Sequence, residues 1–441
     1  MIKKVTVAIL SWNGRQHLET CLDALAAQQA PGVPWEILVL DNGSTDGTAA
    51  WMRERWGSDR RVRLIESPVN LGFCGGNNRL AREADGDALA LLNNDTRPEP
   101  GWLGALVEHL ASAPPDVAAV SGRIVDWKGE RLDFGRGLMT FDGHAFQLDF
   151  RRPLKTARVP AAGEELPFAC GGNLLVRRAS FLETGGFDES YFAYLEDVDL
   201  GWRLWSGGER IVFAPGAVVH HRSSATSDLL GLYNRGFLFE RNAFLTAYKN
   251  YEDGLWEKIL PAVMLTLLSR TQALLLANPG MDTLRIDPYA GHIANTASKA
   301  GPAPKPVAEL PPATTWEGFK IRWKGYGPRD FLRRGLRKLG ISPSSPTAAP
   351  DGPSLTDERT IAQFRALHWL TAHLDGAAAT RASVQRRRKR PDREIFERFP
   401  AYLVPTYPGD RELFASPGFQ AWLPEDLPLR RAELGEIMEM G

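Results

Sequence analysis

The sequence predicts an α/β fold, with a mostly parallel sheet flanked by helices and a mostly helical C-terminal extension. Short apolar, β-rich runs alternate with segments of helical periodicity over about the first hundred residues, which is typical of βαβ units. Three of these runs end abruptly in short polar side chains, and an open α/β sheet binds its ligands outside the carboxyl ends of its strands. After residue 227 helical periodicity predominates, which predicts the extension.

The predicted elements of the first half follow one another as strand and helix in turn. They are strands at 5–10, 35–40, 62–65 and 88–92, with helices at 17–29, 49–56 and 79–83 between them. Glycine breaks between 122 and 160 predict an antiparallel or loop-rich insert. Strand character returns at 168–176, 210–214 and 217–219, and helices are predicted at 229–248 and 255–277.

The composition is that of an ordinary globular protein, with 43% hydrophobic and 24% charged residues among 441. We predict a catalytic domain at 1–226, a helical and loop extension at 227–340 and a C-terminal segment at 341–441. Lys and Arg together number 53, as do Asp and Glu, so the net charge indicates no particular partner. Three widely separated cysteines and a start that leads directly into a strand predict a reduced, cytoplasmic location.

The fourth strand ends in Asn93, Asn94 and Asp95, the motif around which the predicted site is organised. A carboxylate at this position projects into the ligand crevice of an α/β sheet. Oxygen ligands suit Mg²⁺ or Mn²⁺, which would in turn hold the diphosphate of a sugar nucleotide. The structural alternative is a plain turn, because Asn and Asp side chains bond to their own backbone.

Two further segments of the first half are candidate donor contacts. Asp41 ends the second strand and can accept a hydrogen bond from a base or a ribose hydroxyl, or simply stabilise a turn. Residues 70–78 hold three glycines and predict a loop whose backbone approaches a ligand closely, ahead of a helix N-terminus that suits phosphate. The alternative for this segment is a tight structural loop.

The catalytic candidates come later in the chain. Glu196 and Asp197 occupy the first turn of a predicted helix, where Asp197 can act as a general base or merely complement the helix dipole. Trp202 lies on the apolar face of that helix, so we expect it in the core with an edge toward a sugar. The pair His220 and His221 ends a strand, where one imidazole can complete a metal shell or remain polar surface.

Together these segments resemble the inverting glycosyltransferases of family 2, especially the rhamnosyltransferase-like members that extend bacterial polysaccharides. The resemblance covers about residues 5–226 and is carried by the order of its motifs: Asp41-Asn42-Gly43-Ser44-Thr45-Asp46-Gly47, Asn70-Leu71-Gly72-Phe73, Gly75-Gly76-Asn77, Leu92-Asn93-Asn94-Asp95-Thr96, Gly185-Gly186-Phe187-Asp188-Glu189, Glu196-Asp197 and His220. It implies the glycosyltransferase A-type fold, in which one mixed, mainly parallel sheet lies between helices and both substrates meet at the strand ends.

The resemblance also implies a role for each position. Asp95 becomes the metal-binding carboxylate, His220 a metal or diphosphate contact with His221 as the alternative, and Asp197 the catalytic base with Glu196 beside it. The family's common metal motif has two carboxylates separated by one residue, and Asn93 stands in the first of those places. The expected donor-binding set is Ser11, Asn13, Asp41, Asn70, Gly72, Gly76, Asn77, Asn94 and Asp95, and the expected acceptor-side set is Gly172, Asn173 and Trp202.

We therefore expect a glycosyltransferase that uses Mg²⁺ or Mn²⁺ and inverts the anomeric carbon. Its expected donor is a dTDP or UDP sugar, with rhamnose favoured by the resemblance, and its expected acceptor is a bacterial glycan or lipid-linked glycan. The alternative is a catalytically inert glycan-binding or scaffold protein of the same fold. A dinucleotide oxidoreductase would need a glycine-rich turn directly after the first strand, and Ser11-Trp12-Asn13-Gly14 does not supply one.

The second half of the chain carries charge patterns of less specific meaning. Between residues 316 and 339 aromatic and apolar side chains alternate with Lys and Arg, which predicts either peripheral contact with an anionic membrane or an amphipathic helix packed on the catalytic domain. The run at 386–390 is entirely Arg and Lys. We expect it to be a solvated charge run and expect no nucleic-acid partner, because no nucleic-acid-reading fold accompanies it.

Overall fold

The structure, a computed structural model, describes residues 2–222, 231–277, 358–407 and 409–438. The strands are β1 (Val5–Ser11), β2 (Trp35–Asp41), β3 (Val62–Glu66), β4 (Ala88–Asn93), β5 (Thr96–Pro98), β6 (Val117–Asp126), β7 (Leu132–Phe134), β8 (Gly137–Met139), β9 (Ala145–Gln147), β10 (Asn173–Arg177), β11 (Arg210–His221), β12 (Ala401–Leu403) and β13 (Leu429–Arg431). The helices of the first half are α1 (Arg15–Ala26), α2 (Thr48–Trp56), α3 (Gly72–Glu83), α4 (Trp102–Ser112), α5 (Arg178–Glu183) and α6 (Glu196–Ser206), with a 3₁₀ turn at Glu189–Tyr191.

The later helices form the extension. They are α7 (Gly231–Asn250), α8 (Asp253–Ala277), α9 (Glu358–Ala372), α10 (Leu374–Arg387), α11 (Asp392–Arg398), α12 (Asp410–Ala415), α13 (Pro417–Gln420) and α14 (Leu434–Ile437). The helical character that the sequence predicts for 229–248 and 255–277 is confirmed by α7 and α8.

One mixed sheet forms the centre of the molecule, with the strand order β3-β2-β1-β4-β10-β6-β11-β5 and β7 paired to β6. Strands β3, β2, β1 and β4 run parallel to one another, and β11 runs parallel to β6. Antiparallel β10 lies between β4 and β6 and joins the two parallel groups. The predicted α/β class, with a mixed and mainly parallel sheet between helices, is therefore confirmed.

The register of the sheet brings the predicted strand ends to one edge. Ser11 lies opposite Asp41, and Leu10 lies opposite Asn93. These central strands carry almost only buried apolar residues, as expected for parallel strands covered on both faces. Burial fixes the register, because a slip of one residue would turn every core side chain to the other face.

The C-terminal helices pack on the same core as the sheet domain. The Trp202 ring of α6 packs against Tyr251 and Phe396, with ring centroids 5.3 and 4.9 Å away. The basic run at 386–390 contributes to this contact, because the Arg390 guanidinium donates to the carbonyl oxygen of Trp205 at 2.9 Å. The solvated run that the sequence predicts is thus partly used for docking.

Two predicted elements differ in the structure. The segment from Gly72 to Asn78 is the start of α3 and not a loop, because its glycines allow the helix to lie directly on β1 and that packing outweighs their low helix propensity. The predicted strands at 210–214 and 217–219 form one strand, β11, with irregular register between Ala214 and Val218.

Within the described residues, no helix combines the length and the apolar character that crossing a bilayer requires. The basic segment at 316–339 and the predicted domain boundaries near 226 and 340 lie outside the described residues. The membrane-contact interpretation and those boundaries therefore stay predictions.

Candidate active site

The carboxyl ends of β1, β2 and β4 meet in a network of buried polar side chains. The Asn94 amide donates to the hydroxyl oxygen of Ser11 at 3.1 Å. Asp41 accepts a hydrogen bond from the backbone N–H of Ser44 at 3.0 Å, which closes the turn after β2. The structure thus brings Ser11, Asp41 and Asn94, three predicted donor contacts, to the same edge of the sheet.

Asn13 ties the first two strand-end loops together. Its backbone N–H donates to the Ser44 hydroxyl at 2.9 Å, and its side-chain oxygen accepts from the Thr45 N–H at 2.8 Å. It adopts a left-handed φ of 48°, a conformation that Asn tolerates better than most residues. Asn13 therefore holds the loops that follow β1 and β2 against each other.

Four predicted donor residues lie in α3 or just before it, and they are engaged in packing and in helix initiation. The Asn70 side-chain oxygen accepts from the Gly72 N–H at 2.8 Å, and the Asn77 amide donates to the Phe73 carbonyl at 2.9 Å. A Cβ at Gly72 would lie 2.6 Å from the Phe192 ring, and one at Gly76 would lie 2.4 Å from Leu10. Close contact within the protein therefore explains both glycines without a ligand.

Asp95 is buried directly after β4 and lies close to the imidazole of His221, the last residue of β11. His221 Nε2 lies 3.3 Å from Asp95 Oδ1, and His221 Nδ1 lies 2.7 Å from Asp133 Oδ2. The preceding His220 instead places its Nε2 3.2 Å from Glu99. Successive side chains of a strand point to opposite faces, so the structure brings His221, not His220, to Asp95.

The charges of this cluster support one another. Burial opposes ionisation of Asp95, but the hydrogen bond and positive charge of His221 outweigh it and lower the pKa of the carboxyl. Burial also disfavours the imidazolium of His221, yet Asp133 and Asp95 raise its pKa to about 10. The site therefore favours a positive charge between two carboxylates, and a divalent cation can take the place of the Nε2 proton.

One carboxylate and one imidazole fit a Mg²⁺ or Mn²⁺ ion whose other ligands are phosphate oxygens and water. Among the residues that the structure describes, no group of three or more His, Cys, Asp or Glu side chains could hold a metal alone. Asn93, which stands where the resemblance would place a second carboxylate, contacts Gly172. A cation held by Asp95 and His221 would therefore need further oxygen ligands from a substrate or from water.

A strained turn presents the second acidic cluster. Phe192, Tyr194 and Leu195 all have positive φ angles, between 62° and 71°, a conformation that costs about 1–3 kcal/mol for a non-glycine residue and gathers at functional sites. Helix α7 holds this turn, because the Asn242 amide donates to the carbonyls of Ala193 and Tyr194 at 2.8 and 2.7 Å.

Glu196 and Asp197 follow this turn at the start of α6, and their environments differ. Asp197 is partly buried and accepts hydrogen bonds from the N–H groups of Val198 and Gly171, at 2.9 and 3.3 Å. Burial raises its pKa to about 6, and these hydrogen bonds limit the rise. Glu196 is buried, and burial together with the Asp197 charge raises its pKa well above the ordinary range. Asp197 is therefore the carboxylate that is ionised near neutral pH.

One loop joins the two clusters. The Gly171 N–H contacts the Asp197 carboxylate, and the neighbouring Gly172 carbonyl accepts from the Asn93 N–H at 3.4 Å. A Cβ at Gly172 would lie 2.8 Å from the Asn93 amide. The glycine pair therefore allows the base candidate and the end of β4 to approach the same crevice.

The structure does not bring Asn173 and Trp202 to this crevice. Asn173 is fully buried, accepts from the Trp102 indole N–H at 2.7 Å and donates to two backbone carbonyls. Trp202 is 1% exposed and packs in the core. Helix packing of α6 and α4 accounts for both residues, as the apolar spacing around Trp202 already indicates.

A cationic rim lies beside Asp95. The Arg222 and Arg97 guanidinium groups lie 3.9 and 5.0 Å from the centre of the Trp127 ring, in cation–π contact. The backbone N–H of Arg222 donates to the backbone carbonyl of Asp95 at 3.1 Å. Sequence reasoning missed this rim, because Arg97, Arg222 and Trp127 come from three separate segments that only the fold brings together. It also missed Asp133 and Asn242, because each is distant along the chain from the motif it contacts.

Comparison with known proteins identifies relatives of the first half of the chain. Residues 6–185 match the profile of glycosyl transferase family 2. Over 247 residues the chain is 34% identical to an N-acetylglucosaminyl-diphospho-decaprenol L-rhamnosyltransferase of Mycobacterium tuberculosis, with 51% of this chain and 78% of that protein covered. It is 32% identical to the O-antigen biosynthesis protein RfbC of Myxococcus xanthus, covering 50% of this chain and 18% of that protein.

Solved structures that align with part of this chain were also found. GalNAc-T7, solved with UDP, GalNAc and Mn²⁺, aligns with a TM-score of 0.45 and 15% identity over 64% of this chain and 53% of its own. The mannosyltransferase PcManGT of Pyrobaculum calidifontis, solved with GDP-Man and Mn²⁺, aligns with a TM-score of 0.42 and 17% identity over 84% of this chain and 86% of its own.

Proposed function

The chain belongs to glycosyl transferase family 2, and we propose that this glycosyltransferase is metal-dependent and inverts the anomeric carbon of its donor. Its proposed donor is a dTDP or UDP sugar, with rhamnose the leading candidate. Its proposed acceptor is a hydroxyl of a bacterial glycan or lipid-linked glycan. The inert scaffold is not favoured, because the mycobacterial relative that is 34% identical to the chain is named as a rhamnosyltransferase.

The observation that carries the proposal is the placement of Asp197 at the crevice edge, with a raised pKa and a backbone link through Gly171 and Gly172 to the end of β4. A base with a pKa near 6 is ionised at neutral pH and accepts a proton well. In the proposed reaction the acceptor hydroxyl attacks the anomeric carbon in line, Asp197 takes its proton, and the nucleoside diphosphate leaves. One displacement of this kind inverts the configuration.

We propose Asp95 and His221 as the protein ligands of the cation, with His221 in the place that the resemblance assigned to His220. The support is the 3.3 Å separation of His221 Nε2 and Asp95 Oδ1. A bound Mg²⁺ or Mn²⁺ would neutralise charge that develops on the leaving diphosphate. Asp95 stays ionised for this role because His221 lowers its pKa.

The donor nucleoside is proposed to lie along the ends of β1 and β2. The support is the shared edge formed by Ser11, Asn13 and Asp41, where Asp41 can accept from the base or a ribose hydroxyl. Asn70, Gly72, Gly76 and Asn77 would act behind this edge by holding α3 in place.

A lipid-linked acceptor with a diphosphate group is proposed from the name of the mycobacterial relative. The rim of Arg97, Arg222 and Trp127 supports this choice, because two guanidinium groups favour a phosphate. Peripheral contact with the membrane that carries such an acceptor is part of the same proposal.

Calorimetry with dTDP-rhamnose, UDP-N-acetylglucosamine, dTDP and UDP, each with Mg²⁺, Mn²⁺ or chelator, tests the donor and the metal together. We expect one nucleotide to bind only with the cation. Transfer to a synthetic lipid diphosphate bearing N-acetylglucosamine, followed by NMR of the product, tests inversion. Retention of configuration would contradict the single displacement. Absence of both nucleotide binding and donor hydrolysis would favour the inert scaffold instead.

A further inference from the structure

We infer that Asp133 is a positioning residue that holds His221 in the orientation and tautomer needed for cation binding beside Asp95. The inference rests on the proposed metal site and adds a residue that no motif of the sequence indicates. Asp133 lies on β7, a strand of three residues in the insert between β6 and β10. This gives the insert a role in the chemistry of the site.

The geometry assigns the two imidazole nitrogens to different partners. His221 Nδ1 lies 2.7 Å from Asp133 Oδ2, whereas Nε2 lies 3.3 Å from Asp95 Oδ1. Because Nδ1 donates its proton to Asp133, the Nε2 lone pair of the neutral ring is directed toward the Asp95 side. A metal-binding histidine commonly donates its other N–H to a carboxylate in this way, which fixes the ring and raises its basicity.

Several contacts hold Asp133 where this role requires it. Its neighbours Leu132 and Phe134 are buried and pair with Val125 and Ile124 of β6. His221 pairs with Asp126 of the same strand, so one strand positions both partners. The Asp133 carboxylate is 8% exposed, against 48% for Glu99 beside His220. A buried carboxylate constrains its partner more strongly than an exposed one.

Mn²⁺ affinity, measured by EPR in the presence of saturating dTDP or UDP, tests the inference without requiring turnover. We expect Asp133→Ala to weaken Mn²⁺ binding by about 10–100-fold, the usual effect of removing such an outer carboxylate. Asp133→Asn keeps an acceptor oxygen and should fall between Asp133→Ala and wild type. It also serves if the alanine variant does not fold. The matched control is Glu99→Ala, which removes the carboxylate next to His220 and should leave Mn²⁺ affinity unchanged.

A double-mutant cycle shows whether Asp133 acts through His221. In the His221→Ala background, Asp133→Ala should cause no further loss of affinity, because the residue it orients is gone. Pulsed EPR should detect ¹⁴N coupling to bound Mn²⁺ in wild type and a smaller coupling in Asp133→Asn. Equal Mn²⁺ affinity of Asp133→Ala and wild type, or additive losses in the cycle, would overturn the inference. Absence of Mn²⁺ binding to the wild type would instead reject the proposed metal site.

Discussion

Replacement of Asp197 by asparagine tests directly whether this carboxylate is the catalytic base. Asparagine preserves the shape of the side chain and can still accept from the Gly171 N–H. It cannot accept a proton from an acceptor hydroxyl. Removal of a general base typically costs about 10²–10⁴ in rate, so we expect kcat of Asp197→Asn to fall by that factor while the Kd of the donor stays within about twofold.

The raised pKa of Asp197 predicts that the same variant, although less active, is more stable than the wild type at pH 7. Its pKa is about 6 in the folded protein against an ordinary value of 3.8, so the folded state binds more protons than the unfolded state between these values. The stability of the wild type therefore falls as the pH rises from about 4 to about 6. A difference of about 2 pKa units corresponds to about 3 kcal/mol as an upper value. Asp197→Asn should remove this loss and unfold at higher denaturant concentration at pH 7.

Two measurements check these expectations. Nucleotide release at saturating donor and acceptor gives kcat, and the wild-type rate should rise with pH through about 6 and then level off. Urea unfolding at pH 7 and pH 3.5 gives the stability difference, which should be present at pH 7 and absent at pH 3.5. Glu196→Gln serves as the control, because it changes the neighbouring acid and leaves Asp197 in place. An Asp197→Asn enzyme with more than a tenth of wild-type kcat would refute the assignment of the base.

The remaining predictions concern the metal site, the support of the strained turn and a close packing contact with α7. Asp95→Asn should abolish the chelator-sensitive part of donor binding in calorimetry; unchanged metal-dependent binding would remove Asp95 from the site. Asn242→Leu should destabilise the protein by about 1–3 kcal/mol in urea unfolding, since buried carbonyls lose their donor, and should lower kcat; wild-type values of both would contradict its support of the turn. Gly143→Ala should lower the free energy of unfolding by about 1–3 kcal/mol more than Gly163→Ala does. Both glycines have positive φ, but of the two only Gly143 would place a Cβ against a backbone oxygen, 2.0 Å away at Ala243. Equal shifts in melting temperature would show that this contact relaxes.

Local pattern predicted the elements whose burial is continuous along the chain. Strands β1, β2 and β4 are mostly apolar and end in polar residues, so hydrophobic runs and turn chemistry were sufficient to place them. The sequence predicts a start of α3 that is too late, because glycine is a poor helix former. The glycine at position 76 is explained by its close contact with Leu10, which the sequence does not reveal.

By itself the sequence determined the α/β class and the family, and it singled out Asp95 and Asp197 as candidate site residues, because these follow from short motifs in a set order. The tertiary structure decided which residues meet them. The choice between His220 and His221 depends on which face of β11 is turned to Asp95, and the contact with Asp133 depends on how β7 pairs with β6. Such partners are set by strand pairing between distant segments, and no local spacing encodes that pairing.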